Sequence, residues 1–295
     1  FVREVLQNSK DQHDGSTNPV EVVFSLVTLR GKELRQFLDD MKWNDLKPHI
    51  KAGANELRAA SSGLIAAATF YESAISSLES KDELLLLRID DYNTEGLIGQ
   101  ESGITSNFTA LVRDKLYSRK PDAAAGGSYG LGKAVLWKFS SLSTVLFNSV
   151  VADNRGQMKT RFIGRLQLPW HKVGSAKYAG PGWFGKKESI QNDVRAVSIW
   201  GHDADETARQ LKIERASNRP GTSIGVLGFF DPAADKETSK EDLERQIIEA
   251  AATFFWPSLM STPPSLTVTV RSCDGSKEER SQDVAEFARK NSAIT

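Results

Sequence analysis

The chain has 295 residues, of which 39% are hydrophobic and 26% are charged, and its formal net charge is zero. These values are ordinary for a folded protein, and they exclude a global electrostatic attraction to nucleic acid or to membranes. The single cysteine, Cys273, excludes an internal disulfide, and no apolar run is long enough to span a bilayer. Because no secretory signal is visible either, we expect a cytoplasmic protein that does not bind membranes.

The first half of the chain is predicted to contain a helix and two strands. Residues 1–12 have the pattern of an amphipathic helix that is already in progress at Phe1, so we expect the sequence to be part of a longer chain. Residues 20–30 are largely β-branched and apolar and predict a strand. Residues 84–89, LLLLRI, predict a buried strand that runs directly into two aspartates.

The residues between these two strands are predicted to be helical. Residues 31–52 indicate a helix that stops near Pro48, and residues 53–80 indicate a long helix with small apolar residues on one side.

The second half is predicted to alternate strands with loops and one capped helix. Residues 97–125 are predicted as loop and short helix, and a further helix is expected to start within 133–139. Ser239 begins a helix through an S-x-x-D capping pattern, and Pro257 is predicted to stop it. Short apolar runs predict strands at 144–151 and 160–168, which we expect to pair as a hairpin, and at 198–199, 222–230 and 266–270.

Together these elements predict an α+β fold, a two-layer α/β sandwich in which a mixed, mostly antiparallel sheet carries helices on one face. We expect residues 1–295 to form a single domain. Three parts exceed a minimal sandwich: a helical insertion at 31–82, a basic and aromatic insertion at 153–218, and a C-terminal helix and strand at 231–295.

The first candidate motif lies in the N-terminal helix. Glu4, Asn8 and Asp11 are four and three residues apart, so a helix places them on one face. A carboxylate can polarise an attacking water, and an amide oxygen suits Mg²⁺. The same three residue types also describe an ordinary solvated helix face.

The second motif follows the strand at 84–89. Asp90 and Asp91 are adjacent, and Asn93 and Gly96 come shortly after them. Asn tolerates left-handed backbone geometry, and glycine allows a ligand to approach the main chain. An acidic turn at a strand end is also a common structural feature.

The third motif is the glycine-rich loop GGSYGLGK, residues 126–133. Its main-chain N–H groups, together with the start of the following helix, are suited to cradle phosphates. A P-loop is the competing interpretation, but Ala134 stands where a P-loop needs Ser or Thr for magnesium, and no buried strand precedes the loop. A flexible turn is the structural alternative. The fourth motif is Gly221-Thr222, which precedes the strand at 222–230.

In this order, the four motifs resemble the nucleotide-binding motifs of the GHKL ATPases, which include DNA gyrase, the large heat-shock chaperone ATPase, histidine kinases, MutL and MORC proteins. The form of the first two motifs is most similar to MORC proteins and their prokaryotic relatives. The resemblance implies the family's Bergerat fold and a site for ATP and Mg²⁺.

The resemblance also implies a role for each motif residue. Glu4 would be the general base and Asn8 the magnesium ligand, with Asp11 supporting the site. Asp91 would accept a hydrogen bond from the adenine amino group, and Thr222 would place its hydroxyl nearby. Asn93 stands where the family has a glycine, and Gly96 comes one residue late; the looser form seen in some relatives favours Asp91 over Asp90. The lid over the phosphates would comprise Gly127, Ser128, Tyr129, Gly130, Leu131, Gly132 and Lys133.

From this resemblance we expect a Mg²⁺-dependent ATPase whose lid closure and homodimerisation gate a larger, DNA-directed or defence-related machine. Two alternatives stay open: a nucleotide-responsive binding module without significant turnover, and a phosphotransfer domain like that of histidine kinases.

Residues 154–187, called the basic segment below, contain eight Lys and Arg residues and no Asp or Glu, and Trp170, Tyr178, Trp183 and Phe184 are interleaved with the cations. Such a surface suits nucleic acid. The alternative is a solvated hairpin whose cations pair with the acidic residues of 231–249. The four histidines are far apart in the sequence, which favours surface or packing roles over a metal site.

Overall fold

The computed structural model of the protein describes residues 1–60, 64–103, 105–113, 131–190 and 193–291. The strands are β1 Val20–Arg30, β2 Glu83–Tyr92, β3 Thr144–Ala152, β4 Met158–Leu166, β5 His171–Val173, β6 Ala176–Tyr178, β7 Gly182–Phe184, β8 Lys186–Ile190, β9 Asp193–Val197, β10 Ile199–Trp200, β11 Gly221–Leu227, β12 Leu266–Asp274 and β13 Lys277–Asp283. The helices are α1 Val2–Asp11, α2 Gly31–Asp40, α3 Trp43–Ala60, α4 Ile65–Lys81, α5 Leu131–Lys138, α6 His202–Gln210, α7 Lys240–Met260 and α8 Val284–Lys290, and Thr109–Arg113 form a π-helical turn.

One large sheet organises the described residues. Its strand order is β10-β4-β3-β11-β2-β1-β12-β13, and β7 adds to β4. Neighbouring strands are antiparallel except β1 and β12, which are parallel. Two hairpins, β5–β6 and β8–β9, lie outside the sheet. The predicted α+β class with a mostly antiparallel sheet is therefore confirmed.

The central strands are buried on both faces, which explains why their sequences are apolar without strict alternation. On the first face, Leu87 and Ile89 of β2 pack in a core with side chains of α1, α5, α7 and α8. On the second face, Leu84 and Leu86 pack in a separate core with side chains of α2, α3, α4 and α6. The helical insertion thus supplies most of a third layer, on the face of the sheet opposite to α1.

Two proline-based predictions were wrong. Pro48 lies inside α3 and Pro257 inside α7, which continues to Met260. A proline removes one intrahelical hydrogen bond, but core packing on both sides holds these helices together. Trp43 and Ile50 are buried around Pro48, and Leu259 is buried after Pro257. The cap at Ser239 is confirmed, since its side chain accepts a hydrogen bond from the Asp242 N–H. In the described ranges, no helix is both long and apolar enough to cross a bilayer.

Candidate functional site

A cavity of about 370 Å³ opens on the first face of the sheet, beside the C-terminal end of β2. Its size falls in the range of small-molecule sites. Polar groups line it together with an apolar floor, and its walls come from α1, β2, the 96–111 region, α5 and β11. The lining residues are Glu4, Val5, Asn8, Ser9, Gln12, Ile89, Asp91, Gly96, Leu97, Thr105, Ser106, Asn107, Ala110, Leu111, Val135, Leu136, Thr222 and Ile224.

Helix α1 turns one face to the cavity. Glu4 and Asn8 lie one turn apart on that face, beside Ser9. Glu4 is half-buried and Asn8 is exposed. Asp11, predicted on the same face, lies outside the cavity instead, where its carboxylate accepts a hydrogen bond of 2.7 Å from the Gln7 amide. Asp11 comes seven residues after Glu4, and seven residues of an α-helix fall about 20° short of two full turns. Asp11 is therefore displaced around the helix from Glu4 toward Gln7, which it contacts.

The two adjacent aspartates of β2 point to opposite faces of the sheet. Asp91 faces the cavity. Asp90 is 3% exposed and is held by Arg88, whose Nε donates to both of its carboxylate oxygens, and by the Ser223 hydroxyl. The structure therefore brings Asp91, and not Asp90, together with Glu4 and Asn8.

The Asp91 carboxylate is oriented by three donors. Its Oδ1 accepts from the Thr94 hydroxyl at 2.5 Å and from the Thr222 main-chain N–H at 2.8 Å, and its Oδ2 is 3.4 Å from the Ser9 hydroxyl. Burial raises the pKa of Asp91, while the positive charge of Arg215 and these hydrogen bonds oppose the rise. Oδ2 is the less engaged oxygen, so it is the one best able to accept a further hydrogen bond from a ligand.

Thr222 lies next to Asp91 because β11 pairs with β2 in an antiparallel register. Its hydroxyl is 3.3 Å from the Ser149 hydroxyl of β3. Ser149 also accepts the Leu97 N–H at 2.9 Å and donates to the Gly221 carbonyl. A serine of β3 thus connects the two predicted turns, although a single Ser within an apolar strand gives no signal of such a role.

The turn after β2 depends on two left-handed residues. Asn93 has φ +61° and Gly96 has φ +70°. Asn93 lies outside the cavity and donates from its amide to the Pro19 carbonyl at 2.7 Å. At Gly96, a Cβ would lie 2.7 Å from the Ser149 hydroxyl and 2.8 Å from the Val150 carbonyl. Glycine is required here both for its conformation and for space.

The predicted lid falls partly outside the described residues, which exclude Gly127, Ser128, Tyr129 and Gly130. Leu131, Gly132 and Lys133 form the first turn of α5. Farther along this helix, Val135 and Leu136 line the cavity. The helix that follows the glycine loop is therefore in contact with the same cavity as the other motifs.

The segment 97–113 also contributes to the cavity, although its sequence carries no motif that indicates such a role. Thr105, Ser106 and Asn107 line the cavity from this segment. Arg161 of β4 holds the segment in place: it is 1% exposed, donates to the Leu97 and Gly99 carbonyls at 2.8 Å each, and forms an ion pair with Glu101. Burial lowers the pKa of Arg161 to about 10, so the guanidinium remains charged at neutral pH.

Only part of the basic segment is exposed to solvent. Arg161 and Arg165 are buried, and Arg165 donates to the Val112 carbonyl. Lys172 lies over the Trp170 ring, while Lys186 and Lys187 are exposed on β8. Among the described residues, the ion pairs of the acidic stretch 231–249 involve Lys81, Arg245 and Arg280, and none involves the basic segment.

Two histidines that are distant in the sequence meet in the structure. His49 Nδ1 of α3 and His171 Nε2 of β5 are 2.9 Å apart, and Tyr178 packs against both rings. His171 Nδ1 lies 2.9 Å from the Pro169 carbonyl. Within the described residues, no group of three or more His, Cys, Asp or Glu side chains is arranged to hold a metal ion. The pair therefore has the character of a packing contact between the two insertions.

No protein-family model matches the chain, and no curated protein matches it significantly. The resemblance to GHKL ATPases therefore depends on the motif residues of the sequence alone.

Proposed function

We propose that the protein binds ATP in the cavity beside β2 and hydrolyses it with Mg²⁺. The observation that carries the proposal is that residues of three separate motifs line one cavity: Glu4 and Asn8 from α1, Asp91 and Gly96 from the end of β2, and Thr222 from β11. These motifs span more than 200 positions of the sequence. The pairing of β2 with β11 brings Asp91 and Thr222 together, and α1 adds Glu4 and Asn8 to the same cavity.

Adenine would occupy the end of the cavity near Asp91. The apolar side chains of Ile89, Leu97 and Ile224 lie there and offer surfaces for an aromatic base. Oδ2, the less engaged oxygen of the Asp91 carboxylate, would accept a hydrogen bond from the exocyclic amino group, with Thr222 beside it. This arrangement favours adenine over guanine, since a base that presents a carbonyl at the same position would meet a carboxylate.

The phosphates would extend toward α1. Asn8 offers one amide oxygen, and Mg²⁺ commonly takes few protein ligands when phosphate oxygens and water supply the others. A single amide oxygen suits a Mg²⁺ ion that is bound mainly by the nucleotide. Among the described residues, no cluster of three or more His, Cys, Asp or Glu side chains could hold the ion without a nucleotide. When bound, Mg²⁺ neutralises charge that develops on the phosphates.

Glu4 supplies the chemistry of hydrolysis in this proposal. Its carboxylate accepts a proton from a water molecule that attacks the terminal phosphorus, the bond to the bridging oxygen breaks, and ADP and phosphate leave. Dimerisation that follows ATP binding would make the nucleotide a gate for a larger assembly. A nucleotide-responsive module without turnover would keep the pocket and lack this step.

The test of binding is calorimetric titration of ATP and Mg²⁺ into the wild type and Asp91→Asn. Because Asn preserves the shape and removes the charged acceptor, we expect affinity to fall about tenfold to a hundredfold, the range for a hydrogen bond to a charged group. Asp90→Asn is the matched control, since Asp90 faces away from the cavity; its affinity should not change. Equal losses in both variants would argue against the assigned pocket.

The test of hydrolysis uses Glu4→Ala. We expect turnover to fall by about 10²–10⁴, the contribution of a general base, while ATP binding is retained. Asp11→Asn, on the same helix but outside the cavity, should turn over ATP like the wild type. A wild type that binds ATP without measurable turnover would support the nucleotide-responsive module, and transfer of phosphate to a protein side chain would support the kinase-like alternative.

A second proposed function is contact with nucleic acid through the basic segment. Trp170 and Tyr178 are 45% and 39% exposed, and the Lys172 ammonium lies 5.3 Å from the centre of the Trp170 ring. Exposed rings beside lysines are suited to stack on bases and to contact phosphates.

A further inference from the structure

Arg215 is a cation that contacts the main chain of Asp91. It lies in the connection between α6 and β11, and its Nη2 donates to the Asp91 carbonyl at 2.7 Å and to the Arg219 carbonyl at 3.2 Å. Its Nη1 donates to the Ser223 hydroxyl at 3.2 Å. One guanidinium thus joins the end of β2 to the start of β11, the two strands that bring Asp91 and Thr222 together.

The contact between these strands is unusually close. Gly221 has φ +142°, and a Cβ built on it would lie 2.3 Å from the Asp91 carbonyl oxygen, 2.7 Å from Asp91 Oδ1 and 2.8 Å from Arg215 Nη2. The absence of a side chain at Gly221 is what allows the carboxylate and the guanidinium to share one side of the pocket.

Arg215 is itself fixed by packing. Its guanidinium carbon is 4.4 Å from the centre of the Tyr92 ring, and the side chain is half-buried. An arginine held in this way costs little further entropy when it orients a neighbour. Arg219 stacks on the same ring at 4.2 Å, but its guanidinium forms an ion pair with Glu21 and lies on the surface.

We propose that Arg215 is a positioning residue for the nucleotide site: it fixes the main chain of Asp91 and keeps the Asp91 carboxyl ionised, so that the carboxylate can accept the hydrogen bond from adenine. This inference rests on the proposed function. Burial alone raises the pKa of Asp91, and the charge of Arg215 is the largest influence that opposes the rise.

Other charged or titratable groups also lie near Asp91. Glu4 of α1 lines the same cavity and is unchanged in the variants below. Asp90 and Arg88 of β2 pair with each other on the opposite face. On β1, Val22 is opposite Asp91, and on β11 the neighbour is Thr222. Tyr92 is held between Arg215 and Arg219. Arg215 is therefore the cation whose removal acts on Asp91.

The experiment measures the affinity for ADP with Mg²⁺ by calorimetry between pH 5 and pH 8. If the Asp91 carboxyl must be ionised for binding, the affinity for ADP falls as the pH drops below the pKa of Asp91. We call this fall in affinity the acid limb. Asp91 Oδ1 and Arg215 Nη2 lie 2.7 Å and 2.8 Å from the same Cβ position at Gly221, and an opposite charge within about 4–6 Å changes a carboxyl pKa by about 1–3 pH units. In Arg215→Gln we therefore expect the acid limb to move upward by about one pH unit or more. At a pH between the acid limb of the wild type and that of Arg215→Gln, the variant then binds ADP more weakly than the wild type, by about tenfold for each pH unit between the two limbs.

Three further variants complete the test. Arg215→Lys keeps the charge and loses the paired hydrogen bonds, so we expect weaker binding at every pH with the acid limb near that of the wild type. Arg219→Gln is the matched control and should bind as the wild type does. Asp91→Asn should show no acid limb. If Arg215→Gln does not fold, Arg215→Lys still tests the proposal. An acid limb that moves upward in Arg215→Lys, or an affinity for ADP equal to that of the wild type, would contradict it.

An Arg215→Gln variant that folds and keeps the wild-type limb would overturn the inference and leave the proposed function intact. A wild type that does not bind ADP at any pH would overturn the proposed function, and the inference with it.

Discussion

Gly221 shows how much the proposed site depends on one missing side chain. Its φ of +142° is unfavourable for other residues, and a methyl group there would collide with the Asp91 main chain at 2.3 Å. The colliding atom is backbone and cannot rotate away. The collision would separate β11 from the end of β2 and break the hydrogen bond from the Thr222 N–H to Asp91.

For Gly221→Ala we therefore expect ATP affinity to fall by tenfold or more, in line with a cost of about 1–3 kcal/mol for strained backbone. Calorimetry gives the affinity and thermal unfolding gives the stability. Gly156→Ala is the control, because Gly156 also has positive φ, +73°, yet has open space around it. If both variants bind ATP as the wild type does, the close approach at Gly221 is not needed for binding.

Some of the predicted site residues line the cavity, whereas Asp11 and Asn93 lie outside it. Glu4, Asn8, Asp91, Gly96 and Thr222 were predicted from spacing and resemblance, and all line the cavity. Ser149 and Arg215 were not predicted. Their roles depend on the strand register and on the path of a loop, and neither leaves a pattern among neighbouring residues in the sequence.

The contact between α3 and the β5–β6 hairpin joins the two insertions through the histidine pair. The Pro169 carbonyl accepts from His171 Nδ1, so the neutral His171 ring presents Nε2 as an acceptor to His49 Nδ1. Burial, followed by the nearby His171, lowers the pKa of His49, and Asp45 opposes this. The folded protein therefore favours neutral His49.

We expect this contact to weaken in mild acid. Because the folded-state pKa of His49 lies below its ordinary value of about 6.5, the unfolded chain binds more protons at low pH, and stability is lost as pH falls through that region. Urea unfolding at pH 7.5 and pH 5.5 measures the loss. In His49→Gln the pH-dependent part of the free energy of unfolding should shrink, because the group whose pKa differs between the folded and unfolded states is gone.

The control for this experiment is His202→Gln, since the His202 side chain is 90% exposed. It should lose stability between the two pH values as the wild type does. An identical loss in His49→Gln and in the wild type would show that the histidine pair does not respond to pH.

Strands were predicted more accurately than helix boundaries. β1 matches its predicted range of 20–30, and the hairpin of β3 and β4 pairs as expected. These strands are buried, so their apolar runs are strong signals. The short strands β5 to β9, the strand β13 and the helices α6 and α8 were not predicted. The sequence of β13, KEERSQD, belongs to an exposed edge strand made almost entirely of polar residues, which periodicity alone cannot separate from a loop.

Across the whole molecule, the neutral net charge conceals an uneven distribution. The acidic stretch 231–249 is engaged with Lys81, Arg245 and Arg280. Arg161 and Arg165 of the basic segment are buried in the fold, where they donate hydrogen bonds to carbonyl groups of the segment 97–113 beside the cavity. Its exposed lysines remain the part that nucleic acid would contact.

Charge reversal tests this contact. If the segment binds nucleic acid, Lys186→Glu with Lys187→Glu should weaken the binding of single-stranded DNA and reduce its dependence on salt concentration, because fewer counterions are released. Fluorescence anisotropy at several salt concentrations measures both. The double variant Lys32→Glu and Lys51→Glu changes the net charge equally at exposed positions on α2 and α3 and should have a smaller effect. Unchanged binding by the first variant would exclude these lysines.

The cavity takes its walls from positions as far apart as Glu4 and Ile224. At about 5–20 residues per second, a ribosome needs roughly ten to forty seconds to pass from α1 to β11. During that interval Val2, Val5 and Leu6, which are buried in the finished core, have neither β11 nor α7 to cover them. The earliest wall of the site to be synthesised is therefore among the last to be enclosed. A growing chain can complete this cavity only after β11 has been synthesised, and until then the apolar side of α1 is a surface that a chaperone can recognise.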